Sequence, residues 1–364
     1  MRRSWFLVLL LLLASPLAAR ADDPVPADAL GIDLEGYPYP YPVFLLPLGV
    51  DHHEARMAYM DVAPRDMTQG DVTQEDVAQG DVTRGDMTQG DMARGAPANG
   101  RAVLLLHGRN FPASYWAPVI RALAAAGFRV IAPDQIGFGK SSKPEGDFSF
   151  DRAAAQTAAL LDHLGLDKVD VVGHSMGGML AARFARTYPA RIRHLVLYSP
   201  LGLENYRRFV PPVDPAALYA HEIALSPAAY EHYLVTAYGL AGAEALVAPF
   251  VALRQRMSAS ADYPRWVEAY VASYFAIWGQ PVVDELPLIA APTLFLVGTD
   301  DHTAPGRPFA APADQPRMGH IAALAAALAA KMPDARVESF AAGHLIHLQD
   351  PEGFDRALLA FLRP

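Results

Sequence analysis

The sequence predicts an α/β fold in which a mostly parallel, doubly wound sheet carries helices on both faces and a helical lid is inserted late in the chain. Three observations predict it. Short strand-like runs alternate with helical stretches of roughly 10–15 residues, which is typical of a parallel sheet. Several of these runs, such as 103–106 and 195–197, are apolar throughout and therefore indicate burial on both faces. The alternation stops between residues 201 and 288 and then resumes.

Local signals place the individual elements. Strands are predicted at 103–106, 129–132, 169–172, 195–197, 293–297 and 337–340. Helices are predicted at 116–126, 150–164, 179–187, 321–331 and 354–362. Gly127 and Gly165 end the first two helices, because glycine is common just after a helix C-terminus. The sheet-bearing core is therefore predicted at 96–200 and 289–364, with its N-terminal strands within 22–60.

The interruption at 201–288 is predicted to be a lid of several short helices. Its aromatic residues are dense, and they are Tyr206, Phe209, Tyr219, Tyr230, Tyr233, Tyr238, Trp266, Tyr270, Tyr274, Phe275 and Trp278. Two interpretations are open. The rings pack the lid onto the core, or some of them line an apolar pocket.

The first residues predict an export signal. Arg2 and Arg3 precede an apolar run at 5–14, and Ala19-Arg20-Ala21 fits the small-x-small pattern of a signal peptidase site. The run is too short to span a bilayer comfortably. Residues 1–21 are therefore predicted to be a signal peptide, although an uncleaved membrane anchor is the alternative. We expect an exported protein, periplasmic or secreted, without stable membrane insertion after cleavage.

A five-residue repeat occupies residues 61–95, where seven units each begin with aspartate. The units resemble those of the pentapeptide-repeat family, which builds β-helices. Solenoids need three or more stacked units to bury a core, and one Val or Met per repeat unit offers little to bury. We therefore predict a flexible acidic loop. A small β-helical lobe and a cation-binding or adhesive tract are the alternatives.

Composition excludes several classes of function. The 364-residue chain has no cysteine, which excludes disulfides, thiolate metal sites and a cysteine nucleophile. Its net charge of −9 argues against a nucleic-acid partner. The repeat alone carries a net charge of −5, so the acidity says little about a substrate.

One motif carries chemistry. Residues 173–178 read GHSMGG, a G-x-S-x-G motif directly after a predicted strand and before a predicted helix. That context is what a nucleophile elbow requires, because the sharp turn exposes the serine hydroxyl at the carboxyl end of the strand. The helix N-terminus also favours negative charge there. Ser175 is therefore the predicted nucleophile.

A serine nucleophile needs a base and an orienting acid. Asp301 follows the strand predicted at 293–297, and His344 follows the one at 337–340, so both lie at the edge where Ser175 emerges. The chain order Ser, Asp, His is the one found with this elbow. Three rivals are open, namely Asp300 and Glu204 for the acid and His347 for the base.

The chain resembles the α/β-hydrolase fold superfamily, in its lid-bearing serine esterase form, from about residue 43 to the end apart from the repeat. The motifs are LLLHG at 104–108 with Trp116 after it, PDQIGFGKS at 133–141, GTDD at 298–301 with Pro305 after it, and GH at 343–344 before Asp350. The resemblance implies a Ser175–His344–Asp301 triad. It also implies an oxyanion hole made by the backbone N–H groups of Met176 and Arg109, with Asn110 as the rival of Arg109. Arg109 departs from the apolar or glycine residue of many relatives.

The predicted function is hydrolysis of a carboxylic ester or related acyl compound through an acyl-enzyme. The expected partner is a small, apolar acyl substrate, and neither a metal nor an organic cofactor is expected. Three alternatives use the same fold. They are a cofactor-free perhydrolase or haloperoxidase, a carbon–carbon bond hydrolase, and a non-catalytic ligand-binding protein.

Overall fold

The computed structural model describes residues 28–50, 53–64 and 99–363, and its strands form one sheet in the order β1-β2-β4-β3-β5-β6-β7-β8. The strands are β1 Val43–Val50, β2 His53–Val62, β3 Ala102–Leu106, β4 Arg129–Pro133, β5 Val169–His174, β6 Ile192–Tyr198, β7 Thr293–Gly298 and β8 Ala335–Phe340. β2 pairs antiparallel with β1 and β4. All other pairs are parallel.

The central strands are buried on both faces. Every residue of β3, β5 and β7 is buried. Along β3 the side chains alternate, so Leu104 and Leu106 join one apolar cluster, and Val103 and Leu105 join another on the opposite face. β5 also carries the buried Asp170, whose charge is paired with Arg101 at 2.6 Å.

Helices cover both faces of the sheet. They are α1 Ala117–Ala125, α2 Phe150–His163, α3 Met176–Thr187, α4 Pro215–Ile223, α5 Pro227–Ala237, α6 Ala248–Ser258, α7 Tyr263–Gly279, α8 Ile321–Ala329, α9 Ile346–Gln349 and α10 Pro351–Leu362. α1 and α10 pack on one face through Leu123 and Phe354. α2, α3 and α8 pack on the other face, where Phe150 and Leu180 are fully buried. The predicted α/β-hydrolase fold is therefore confirmed.

Helices α4 to α7 lie between β6 and β7, inside the predicted lid. They form a third apolar cluster that includes Trp266 of α7 and Leu253 of α6. Leu30 and Leu34 belong to the same cluster, and the N–H of Leu30 donates to the carbonyl of Arg256 at 3.2 Å. The segment before β1 therefore packs on the lid in turns, whereas the sequence predicted only core strands for residues 22–60.

Two element boundaries differ from the predictions. Helix α3 begins at Met176 rather than at residue 179, because Gly177 and Gly178, which are poor helix formers, were assigned to the turn. Strand β2 continues through Asp61 and Val62, so the first repeat unit begins inside the sheet, where Asp61 pairs with Arg129 at 2.6 Å.

The signal peptide predicted at 1–21 lies outside the described residues, as does most of the repeat loop predicted at 61–95. No helix among residues 28–50, 53–64 and 99–363 is long and apolar enough to cross a bilayer.

Candidate active site

Ser175 occupies the turn between β5 and α3. Its φ of 57° and ψ of −119° are sparsely populated for a residue with a side chain. Such strain persists where the surrounding structure enforces it, and it often marks a functional site. The turn is so tight that a Cβ on Gly177 would lie 2.2 Å from the carbonyl oxygen of Leu106, so only glycine fits there. The sequence motif therefore forms the elbow geometry that it predicts.

Asp301 and His344 meet beyond the carboxyl ends of β7 and β8. His344 Nδ1 donates to Asp301 Oδ2 at 2.7 Å, and both side chains are fully buried. Asp301 Oδ1 accepts from the Thr303 hydroxyl at 2.7 Å and from the Thr303 backbone N–H at 3.0 Å. An ionised carboxylate only accepts hydrogen bonds. This pairing therefore holds the proton on Nδ1 and leaves Nε2 as the basic nitrogen.

Further contacts place His344 beside the nucleophile turn. His174, which precedes Ser175, approaches the His344 carbonyl with its Nε2 at 3.1 Å, and the two rings lie 4.7 Å apart between centroids. The backbone N–H of His344 donates to the carbonyl of Tyr238 at 2.8 Å. Nε2 of His344 is buried and has no hydrogen-bond partner among the described residues.

The rival residues do not bond to the His344 imidazole. Asp300 is exposed. Glu204 accepts instead from the backbone N–H of Gly319 at 2.9 Å. His347 Nδ1 lies 2.9 Å from the hydroxyl of Tyr198. Of the candidate acids and bases, the structure brings Asp301 and His344 together.

Three further buried histidines lie around the site, and burial favours the neutral form of each. Burial lowers the pKa of His107. Burial, with smaller effects of His344 and His347, holds the pKa of His174 well below its usual range. Burial also lowers the pKa of His347 to about 3. His107 is part of the loop framework, since its Nε2 accepts the backbone N–H of Gln135 at 2.9 Å.

The predicted oxyanion donors flank Ser175. A Cβ on Gly108 would lie 3.1 Å from the Cβ of Ser175, so the chain leading to Arg109 passes beside the nucleophile. Met176 opens α3, where the first N–H groups have no partner within the helix. The backbone N–H groups of Arg109 and Asn110 donate to no acceptor in the described part of the chain.

The side chain of Arg109 is bound to the lid. Its Nε donates to Ser273 Oγ at 2.9 Å, and its Nη2 donates to the carbonyl of Tyr270 at 2.8 Å. The guanidinium carbon lies 3.4 Å from the centroid of the Tyr270 ring. This departure from the family pattern therefore attaches the loop after β3 to helix α7.

A cavity of about 290 Å³ opens over Ser175, between the sheet and the lid. Arg109 and Asn110 line one side of it. Five lid tyrosines also line it, namely Tyr230, Tyr233, Tyr238, Tyr270 and Tyr274. Both interpretations of the lid aromatics therefore hold, because some of the rings pack in the apolar cluster of the lid and others line this cavity.

The sequence did not predict the contacts of three residues around the site, although Tyr238 and Tyr270 are among the lid aromatics named from it. Thr303 bonds to Asp301, and Tyr238 accepts from the backbone of His344. Tyr270 donates through its hydroxyl to the side-chain oxygen of Asn110. Thr303 could have been suspected, because a Thr two residues after an Asp can bond back to it. The roles of the two tyrosines depend on how the lid packs, for which no local motif exists.

Comparisons with known proteins agree with this architecture. The family model of the alpha/beta hydrolase fold matches residues 101–229. A 2-hydroxy-6-oxo-2,4-heptadienoate hydrolase of Pseudomonas putida is 32% identical over 222 residues, which cover 57% of this chain and 74% of that protein.

Solved structures extend the similarity over most of the chain. A probable hydrolytic enzyme from Pseudomonas aeruginosa is 35% identical with a TM-score of 0.79, covering 92% of this chain and 99% of that one. A bromoperoxidase from Bacillus anthracis, 20% identical with a TM-score of 0.60 over 88% of this chain and 100% of that one, shares the fold. This chain belongs to the α/β-hydrolase family, and it is a hydrolase.

Proposed function

We propose that this enzyme hydrolyses a carboxylic ester or a related acyl compound with Ser175 as nucleophile, His344 as base and Asp301 as orienting acid. The observation that carries the proposal is the buried His344–Asp301 pair at 2.7 Å, with an unpartnered Nε2 beside the elbow of Ser175. A buried base beside the turn of a strained, glycine-flanked serine is the arrangement that activates a hydroxyl.

The mechanism follows from these positions. His344 Nε2 takes the proton of Ser175 Oγ as that oxygen attacks the carbonyl carbon. The N–H groups of Met176 and Arg109 receive the negative charge on the carbonyl oxygen, each contributing about 3 kcal/mol. Asp301 stabilises the imidazolium. His344 then returns the proton to the leaving alkoxide, and a water that it deprotonates releases the acid from Ser175.

The cavity supports a small and largely apolar substrate. Its volume of about 290 Å³ is near the lower end of small-molecule sites, and five tyrosines are among the residues that line it. We also propose that the enzyme does not bind nucleic acid, in keeping with its net charge of −9.

The test is hydrolysis of a series of 4-nitrophenyl esters of increasing acyl length. Ser175→Ala is expected to lower kcat/KM at least about 10³-fold while leaving the thermal midpoint of unfolding unchanged. Ser199→Ala is the matched control, because Ser199 is also buried and its hydroxyl has no partner among the described residues. Full ester hydrolysis by Ser175→Ala would contradict the proposal.

A second candidate is hydrolysis of a carbon–carbon bond. It is favoured by the 32% identity to the Pseudomonas putida hydrolase that is named for 2-hydroxy-6-oxo-2,4-heptadienoate. The same enzyme preparation assayed with that dienoate separates the two candidates. A kcat/KM for the dienoate at least about 100-fold above that of the best ester would move this function to first place.

We also propose that the enzyme is exported, because the first 21 residues have the charge, apolar run and cleavage pattern of a signal peptide. N-terminal sequencing of the protein recovered outside the cytoplasm is expected to begin at Asp22. A retained Met1 would contradict export by cleavage.

A further inference from the structure

The loop after β3, residues 107–112, is joined to the lid by side chains at both of its central positions. We call it the oxyanion loop. Asn110 uses both ends of its amide, because Oδ1 accepts from the Tyr270 hydroxyl and Nδ2 donates to the Tyr238 hydroxyl. Because these hydroxyls belong to two separate parts of the lid, Asn110 fixes the loop against both of them.

Arg109 strengthens the same connection. Its side chain adds hydrogen bonds to Ser273 and to the Tyr270 carbonyl, both on α7. The residue that is proposed to donate its backbone N–H to the oxyanion is thus held through its own side chain by a lid helix. The lid is therefore attached to the oxyanion loop at two consecutive residues.

Tyr238 extends the network to the catalytic base. Its carbonyl accepts the backbone N–H of His344 at 2.8 Å, and its ring centroid lies 4.3 Å from that of His344. The next residue, Gly239, has a φ of 64°, and a Cβ there would lie 2.0 Å from the carbonyl oxygen of Asp300. The residues that follow α5 therefore pack against both Asp300, the neighbour of Asp301, and His344.

We propose that Asn110 is a positioning residue that, anchored by Tyr270 and Tyr238 of the lid, holds the oxyanion donors in register with His344. The inference rests on the proposed function, in which the backbone N–H of Arg109 stabilises the oxyanion. The lid then contributes to the chemical step as well as to binding. Oxyanion donors act by being fixed in advance, so a loop displaced by about 1 Å loses rate rather than affinity for substrate.

The test compares two equivalent substitutions on α7. Tyr270→Phe removes the hydroxyl that bonds to Asn110 and keeps the ring beneath Arg109. Tyr263→Phe removes a buried hydroxyl that has no partner among the described residues, on the same helix and away from the cavity over Ser175. We expect Tyr270→Phe to lower kcat about tenfold with KM changed less than about twofold, and Tyr263→Phe to change neither by more than about twofold.

Two further readouts separate positioning from general loosening of the lid. A trifluoromethyl ketone becomes an oxyanion when Ser175 adds to it, so Tyr270→Phe is expected to weaken its binding by the same factor as kcat/KM falls. Asn110→Ala combined with Tyr270→Phe is expected to be no slower than Asn110→Ala alone, because both remove the same bond.

The outcomes distinguish this inference from the proposed function. If Ser175→Ala is inactive but Tyr270→Phe keeps the wild-type kcat and inhibitor affinity, the positioning role is wrong and the proposed function stands. Effects of Asn110→Ala and Tyr270→Phe that multiply, or a Tyr263→Phe defect as large as that of Tyr270→Phe, would also overturn the positioning role. Ester hydrolysis retained by Ser175→Ala would instead overturn the proposed function itself.

Discussion

At the carboxyl ends of β7 and β8, Asp301 has partners on both carboxylate oxygens, through His344 and Thr303. Around the turn of Ser175 the arrangement is different. The backbone N–H of Arg109 has no acceptor in the described part of the chain, and Nε2 of His344, on the side away from Asp301, has none either. The groups that orient the base are satisfied within the fold, whereas the groups that would meet a substrate are not.

The groups that orient the base are thus distinct from the groups that would react with or bind the substrate. A buried polar atom without a partner costs about 1–3 kcal/mol of stability, so folding alone does not favour leaving such atoms unpaired. Of these groups, Arg109 lines the same cavity as Ser175, where a bound carbonyl would supply the missing partner. Substitutions on the two sides are therefore expected to differ in size and in kind.

The largest loss of activity is expected from a substitution of Asp301, the residue that orients the base. Asp301→Asn places an amide opposite His344 Nδ1, and an amide that donates there favours the wrong imidazole tautomer. We expect kcat for ester hydrolysis to fall about 10³–10⁴-fold with little change in KM. Steady-state kinetics on the purified variant measures it.

Asp300→Asn is the control for that prediction. Asp300 is exposed and adjacent in sequence, so its variant is expected to keep kcat within about twofold. An inactive Asp300→Asn beside an active Asp301→Asn would reverse the assignment of the acid.

A smaller effect is expected one contact further from the reaction. Thr303→Val keeps the shape of the side chain and the backbone N–H to Asp301 but removes the hydroxyl that donates at 2.7 Å. We expect kcat to fall about tenfold, since a hydrogen bond to a charged group is worth about 1.5–3 kcal/mol and part of that holds the base in place.

Thr299→Val is the matched control for Thr303→Val, because the one hydrogen-bond partner of the Thr299 hydroxyl among the described residues is the exposed Asp300, at 3.5 Å. It is expected to behave as wild type. Equal losses in the two threonine variants would show that the hydroxyl of Thr303 has no specific role.

The last effect concerns stability in acid rather than catalysis. Burial lowers the pKa of His347 to about 3, whereas an unfolded histidine takes up its proton near pH 6.5. Between these values the unfolded chain binds more protons, so the free energy of unfolding falls as the pH is lowered. One such group contributes about 1.4 kcal/mol per pH unit.

His347→Gln is expected to reduce that slope between pH 6.5 and pH 4.5 in urea denaturation. Part of the slope remains, because burial also lowers the pKa of His174. A variant whose unfolding free energy falls as steeply as that of the wild type would contradict a neutral, buried His347.

The core was predictable because its elements carry local signals. The strand predicted at 103–106 differs from β3 by one residue, and the one at 293–297 differs from β7 by one. Strand ends carry weaker signals. Strand β8 begins at Ala335 rather than at residue 337, because partly exposed residues there give no apolar pattern. The sequence predicted several short helices in the lid but not the bounds of each one. Helix α6, for example, buries only Leu253 and so shows no apolar periodicity.

The site, too, has residues that the sequence predicts and contacts that it does not. Ser175 follows from its motif, and Asp301 and His344 were predicted from their places after strands together with the family resemblance. The contacts of Asn110 with Tyr238 and Tyr270 could not be predicted, because they join residues 128 and 160 positions apart through the packing of the lid. Local sequence specifies the reacting groups, and the fold determines which residues hold them.

Reaction of the purified enzyme with a fluorophosphonate, followed by peptide mapping, tests the central claim most directly. The account predicts one modified serine, Ser175, with labelling lost in Ser175→Ala and in His344→Ala. Absence of labelling in the folded wild-type enzyme, or labelling on another serine, would contradict an activated Ser175.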